Sequence, residues 1–321
     1  MKRILVLVAA ALLAVVGCDD QTGPGTDTGA GSAGAPVKPG PPPEFWSAPA
    51  DTPEQQAAVA QATRELDVCA LLPRETLDDL GLGDIRKVAI GLDSCRAVLD
   101  GPAGESTLTW HTTLLPPLNP NRGTSKQLGD VFALLVPVRD GDPRACGATA
   151  RFPAGAAFYL GIAVPDRDSC AVADGLLPGM IERWRQSPGQ GTSPDTVDTV
   201  LLGADPCAVR AKLAGTADTD QRRLTECLFR YRDETVTVTY AYRVPEQMRA
   251  RGTEEKFDGR TVYRSTSLYD PSIPIYHAQV GPELPLDSTE GVPRIPAVEV
   301  TSATDGVARD VMAQALTLFP Q

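Results

Sequence analysis

One short pattern occurs twice in this chain, and that repetition limits its folds more than any other feature. "LDVCALL" (66–72) aligns with "ADPCAVR" (204–210), setting Cys69 against Cys207. "LDSCRAVL" (92–99) aligns with "LTECLFRY" (224–231), setting Cys95 against Cys227. An alternating segment follows each. In "TLTWHTTL" (107–114) the apolar side is Leu108, Trp110 and Leu114; in "TVTVTYAYRV" (235–244) it is Val236, Val238, Tyr240, Tyr242 and Val244. Alternation of this kind marks a half-buried strand. Both segments stop at a proline, Pro116 and Pro245. Near the end of each copy the period changes. Ala173, Leu176, Leu177, Met180, Ile181 and Trp184 are spaced like Ala308, Val311, Met312, Ala315, Leu316 and Phe319, one apolar face of a helix in each case. Four matched features in the same order make this a duplicated chain, broken near the Gly/Pro/Ser stretch 185–195.

Each copy therefore reads as a short helix at its first cysteine, then several strands, then a closing helix. In the first copy the strands fall at 84–91, 94–99, 106–115, 130–138 and 156–164, after a helix over 53–65 that Thr52 caps and Pro53 opens. In the second they fall near 226–232, 235–244, 260–266, 274–280 and 296–301. Strands in succession with helices at the ends predict the α+β class: two tandem related domains, 51–187 and 195–321, each an antiparallel sheet with helices packed on one face. The 321 residues suffice for two such cores.

The N-terminus reads as an export signal, residues 1–17. Lys2 and Arg3 precede 13 apolar residues (4–16), short of the roughly 20 that span a bilayer. The run ends in Val15-Val16-Gly17-Cys18, which resembles the lipobox of bacterial lipoproteins. That resemblance implies cleavage before Cys18 and a diacylglyceryl group, often with a further palmitate-type acyl chain, on Cys18. The membrane is then a partner through lipid on Cys18, at the outer, extracytoplasmic face of the cell membrane. Two or more acyl chains anchor stably where one is marginal. Cleavage removes two cations, taking the formal charge from −11 to −13; such a body is not drawn to anionic head groups. The sequence has no basic run with interleaved aromatics, so no nucleic acid is expected as a partner. Residues 18–50 read as a lipidated disordered tether rich in Gly, Pro, Ser and Thr, which cannot bury enough apolar area to order itself. Within it, Phe45-Trp46 is expected to dock on the first domain, the other reading being a partner-binding anchor.

The cysteines follow from the repeat. With Cys18 lipidated, six remain. Cys207 and Cys227 are alone in the second copy and must pair if it is self-contained; Cys69 and Cys95 hold the same positions; Cys146 and Cys170 are left for each other. Asp305 stands in the second copy where Cys170 stands in the first. A structural metal would need cysteine and histidine spacings that are not present.

The Cys18 lipobox, the tether and the Asp-x-Cys openings (Asp67, Val68, Cys69; Asp205, Pro206, Cys207) resemble actinobacterial lipoproteins with Asp-Pro-Cys-type domains of unknown function. Phe229, two residues after Cys227, fits that pattern; Ala97, two after Cys95, departs from it. The resemblance implies an envelope location and small α+β domains, and no catalytic residues.

A search for catalytic chemistry finds little. His111 and His277 sit at non-corresponding places in the two copies, and both read as ordinary surface histidines. No nucleophile elbow, phosphate loop or zinc-protease motif occurs. "DGDPRAC" and "DTDQRR" lack the glycine and closing glutamate of a calcium loop, and Glu75, Asp78 and Asp79 read as a solvated helix face. No catalytic, cofactor or metal residue is assigned. The expected function is a non-catalytic, lipid-anchored envelope module that binds a protein or wall polymer. A small-ligand carrier or sensor with a cleft within or between the domains is the first alternative. An enzyme of unrecognised type, working through paired carboxylates, is the second.

Overall fold

The computed structural model describes residues 40–139 and 142–320. Cys18, its lipobox and most of the tether lie outside the described residues. Two seven-stranded antiparallel sheets make up the body. The first comprises β1 (Asp84–Ile90), β2 (Ser94–Gly101), β3 (Gly104–Leu114), β4 (Thr124–Leu128), β5 (Val131–Arg139), β6 (Asp142–Arg151) and β7 (Ala156–Ala163). The second comprises β8 (Ala217–Arg222), β9 (Glu226–Tyr231), β10 (Glu234–Arg243), β11 (Thr253–Phe257), β12 (Arg260–Thr266), β13 (Pro274–Gln279) and β14 (Ile295–Thr301). The order is β1-β2-β3-β7-β6-β5-β4 in one and β8-β9-β10-β14-β13-β12-β11 in the other, which is the same order. Register agrees too. Trp110 faces Cys95 and Leu160 across its two neighbours, and Val238 faces Cys227 and Val300. The duplication read from the sequence thus extends to individual residue pairs.

Each sheet has seven strands where alternation indicated five. The four extra strands are β4, β6, β8 and β11, and each has a physical reason for being quiet. β4 (TSKQL), β8 (ADTDQR) and β11 (TEEKF) are polar edge or near-edge strands with little to bury. In β6 the inward residues are Cys146, Ala148 and Ala150, all fully buried but small. Small side chains there let the closing helix α4 (Ser169–Arg185) lie close to the sheet. The β8 assignment also places "DTDQRR" along a strand rather than in a cation-binding loop.

The helices form as expected. Of the shorter ones, α1 (Pro43–Ser47) leads into α2 (Pro53–Arg64). Thr52 and Gln55 make a reciprocal capping box at the start of α2. Further along are α3 (Arg74–Asp79), α5 (Pro245–Arg251) and α6 (Asp305–Leu316). Glu75, Asp78 and Asp79 are on the exposed side of α3. All six apolar positions read on α4, and all six read at 308–319, are buried. Burying each large apolar side chain contributes about 1.5–3 kcal/mol.

Trp46 is fully buried. Its ring packs edge-on to Trp184 at 5.3 Å, and its Nε1 donates to Ser187 Oγ at 3.0 Å. The aromatic pair therefore docks on the first copy. Residues 43–50, assigned to the tether by composition, belong to the packed body. The three disulfides are Cys69–Cys95, Cys146–Cys170 and Cys207–Cys227, as the repeat arithmetic required. In the second copy the place of the Cys146–Cys170 bridge is taken by a polar clamp. Asp305, first residue of α6, accepts from Arg264 Nε at 2.5 Å and from Tyr276 Oη at 3.1 Å, tying the closing helix to β12 and β13.

Candidate functional site

The two copies meet through charged and polar side chains, and the Asp-x-Cys motif supplies two of them. Asp67 is fully buried at the start of a 3-10 turn (Cys69–Leu71). Its carboxylate accepts from Cys69 N (3.1 Å) and Ala70 N (3.3 Å), and also from Ser193 N (2.8 Å) and Thr196 Oγ1 (2.6 Å) in the linker. Asp205 likewise caps the 3-10 turn Pro206–Lys212, accepting from Cys207 N at 3.0 Å. It also receives Arg64 Nη2 from α2 of the first copy at 2.5 Å. Each motif aspartate thus closes its own turn and reaches outside its copy. Gln61, one turn before Arg64, donates to Gly203 O at 3.1 Å.

Between α2 and the Pro206–Lys212 turn lies a cleft of about 610 Å³. Ala57, Gln61 and Arg64 form the wall from the first copy; Asp205, Arg210 and Asp218 form the wall from the second. Arg210 pairs with Asp218 at 3.0 Å, and Arg223 pairs with Glu226 at the rim. The Arg64 side chain is only 10% exposed. Its Nε and Nη1, and Nε of Arg210, have no hydrogen-bond partner among the described residues. Buried donors left in this way are uncommon and costly. Tyr240 lies near the Arg64–Asp205 pair; burial pushes its phenol well above the usual value, and the charge of Asp205 adds to the effect. The cleft carries charges of both signs, from Arg64, Arg210 and Arg223 and from Glu54, Asp205, Asp218 and Glu226.

A second depression, about 270 Å³, forms where the β1–β2 turn of the first copy meets the outer face of β10; Asp93, Arg243 and Arg294 line it. Burial raises the Asp93 carboxyl, and nearby His111 partly offsets this. Burial lowers His111, with Asp93 opposing.

Both histidines occupy polar outer sheet faces, but neither is a free surface side chain. The His111 ring lies 5.1 Å from that of Tyr159. His277 joins a ladder across four strands. Ser265 Oγ is 2.9 Å from His277 Nε2, and His277 Nδ1 is 2.6 Å from Glu299 Oε1. Arg243 donates to both oxygens of Glu299. Burial alone would raise Glu299; the bonds from His277 and Arg243 outweigh it and hold the carboxyl at about 2. Sequence reasoning missed this cluster because its members are far apart along the chain. The one available signal is Glu299, a lone acid at an outward position of an apolar strand. The residue types are those of a nucleophile, base and carboxylate. Ser265, however, sits within a strand opposite Ile275, not on a sharp turn, and neither seam cavity is lined by it. Arg243 already neutralises the carboxylate. The ladder ties β12, β13, β14 and β10 together across the outer face of the sheet. Register makes Tyr159 the first copy's equivalent of Glu299, since it faces His111 and Thr149 as Glu299 faces Thr239 and His277.

The three disulfides fit an oxidising, extracytoplasmic compartment. Among the described residues no helix is long and apolar enough to cross a membrane, and no cluster of His, Cys, Asp and Glu has metal-binding geometry. Comparison with known protein families, with curated proteins and with solved structures returns no match.

Proposed function

We propose that this chain is a lipid-anchored, non-catalytic binding module of the cell envelope, and that its two copies hold a polar partner, a protein segment or wall polymer, in the cleft they share. The observation that carries the reading is the cleft itself. Neither copy forms it alone, and Arg64 lies in its wall with two nitrogens, Nε and Nη1, that have no hydrogen-bond partner among the described residues. The anchor reading rests on the 13-residue apolar run before Gly17-Cys18 and agrees with the oxidised cysteines. Lipid on Cys18 would keep the body within reach of the membrane.

Two measurements test this. Changing Cys18→Ser should move the protein out of the membrane fraction and abolish acyl labelling; labelling that persists refutes the anchor. Ala57 is exposed on the cleft wall. Ala57→Trp should abolish partner recovery from the protein's own membranes, while Tyr269→Ala, on a fully exposed residue remote in sequence, should leave it intact. Equal recovery with both variants would remove the cleft from consideration.

A further inference from the structure

A third cavity lies at one end of the first sheet, away from the seam. It holds about 620 Å³ and is bordered, with an open side to solvent, by the segment between α1 and α2, the first turns of α2, the end of β3 and the β6–β7 turn. Ala50, Val59, Leu114, Leu115, Pro153 and Ala154 supply an aliphatic wall, and Asp51, Gln56 and Arg151 supply polar side chains. No aromatic ring and no side-chain hydroxyl lines it. The aliphatic side chains outnumber the polar ones. The aliphatic wall suits a saturated chain.

One guanidinium faces this space. Arg151 is half-buried at the end of β6. Its Nε donates to Leu115 O at 2.9 Å and its Nη1 to Phe152 O at 3.3 Å, so two main-chain carbonyls fix its orientation. Nη2 makes no hydrogen bond among the described residues, and Arg151 makes no ion pair among them. Burial accordingly lowers its pKa. This is a usual composition of a small-molecule site, a mainly apolar lining with a few placed polar groups. An incoming carboxylate would supply the missing counter-ion through a charge-assisted bond.

We propose that this cavity binds a fatty acid, with the acyl chain against the Leu114–Leu115 and Val59 walls and the carboxylate on Arg151 Nη2. The site depends neither on the inter-copy cleft nor on lipid at Cys18. A body tethered near a membrane would simply meet such amphiphiles often.

The test uses residues 19–321 with the three disulfides intact, titrated calorimetrically with dodecanoate and with dodecan-1-ol below their aggregation limits. Dodecanoate should bind saturably at one site, at least tenfold more tightly than the alcohol. Arg151→Gln should reduce dodecanoate to the level of the alcohol. Leu115→Trp, which fills the cavity from a half-buried position, should abolish both, with an unchanged melt. The proposal fails if dodecanoate does not saturate, if the alcohol binds equally well, or if Leu115→Trp binds as the parent does. It also fails if a short peptide with a free C-terminal carboxylate outcompetes dodecanoate. The acid-to-alcohol comparison on the parent protein decides the matter even if Arg151→Gln does not fold.

Discussion

The two motif aspartates look equivalent in sequence, yet isosteric removal of charge should affect them unequally. Asp67 uses both carboxylate oxygens: Oδ1 receives Cys69 N, Ala70 N and Thr196, while Oδ2 receives Ser193 N. It is fully buried. In Asp67→Asn one of these positions becomes an NH2 group. If Oδ1 keeps its three donors, Nδ2 then faces the Ser193 N–H, leaving two buried donors without acceptors. Each costs roughly 1–3 kcal/mol, so the loss should be about 3 kcal/mol. Asp205 concentrates its contacts on Oδ1, from Cys207 N and Arg64 Nη2, and its side chain is 38% exposed. Asp205→Asn keeps that oxygen and points its NH2 to water, so the expected loss is about 1 kcal/mol, from weakening the charge-assisted bond. For a body of this size, about 2–4 °C of melting temperature is expected per kcal/mol. Calorimetry of the unreduced protein should therefore show a drop of roughly 6–12 °C for Asp67→Asn and a few degrees for Asp205→Asn. Urea titration with an unchanged slope would confirm that stability, not compactness, has changed. A larger effect at Asp205, or a loss below 1 kcal/mol at Asp67, would refute the account of how the motif works.

Acid stability should depend on Glu299. Its folded-state pKa is depressed from 4.5 to about 2, so its contribution is present above pH 4.5 and lost as pH falls toward 2; in Glu299→Gln, the stability measured by denaturant titration should change less across that window. Cys146→Ala with Cys170→Ala should lower stability by about 3–4 kcal/mol on the loop-entropy account, and mapping of unreduced peptides should recover the three bridges with none between the copies.

How far the sequence discloses this fold depends on what each residue has to bury. Val236, Val238, Tyr240 and Tyr242 alternate because one side of β10 meets the core, and that strand is plain to read. Cys146, Ala148 and Ala150 face the core just as strictly, but residues this small give no strand signal. β4 and β11 have too little buried surface to leave a pattern. The disulfide pairs could be deduced because duplication reduced the choices. The cleft could be anticipated as a place between the copies, not as residues, since Arg64 on α2 and Asp205 on the second copy's turn meet only after both have folded. The Ser265–His277–Glu299 ladder and the Arg151 cavity were hidden for the same reason: each gathers residues from separate elements, none unusual alone.

The shared strand order also governs how the chain can reach its native state. Each sheet is two hairpin meanders, and neighbouring strands within a meander pair locally. The two halves join only at β3–β7 and β10–β14, where Trp110 meets Leu160 and Val238 meets Val300. Distant pairings of this kind make folding slow. The first copy has a further requirement, because Trp46 bonds to Ser187 and Asp67 to Ser193 and Thr196. Its innermost polar groups acquire their last partners from residues beyond its own closing helix. As the chain is made, the first copy stands nearly complete before the linker follows, so Cys69 and Cys95 can meet before that turn is locked.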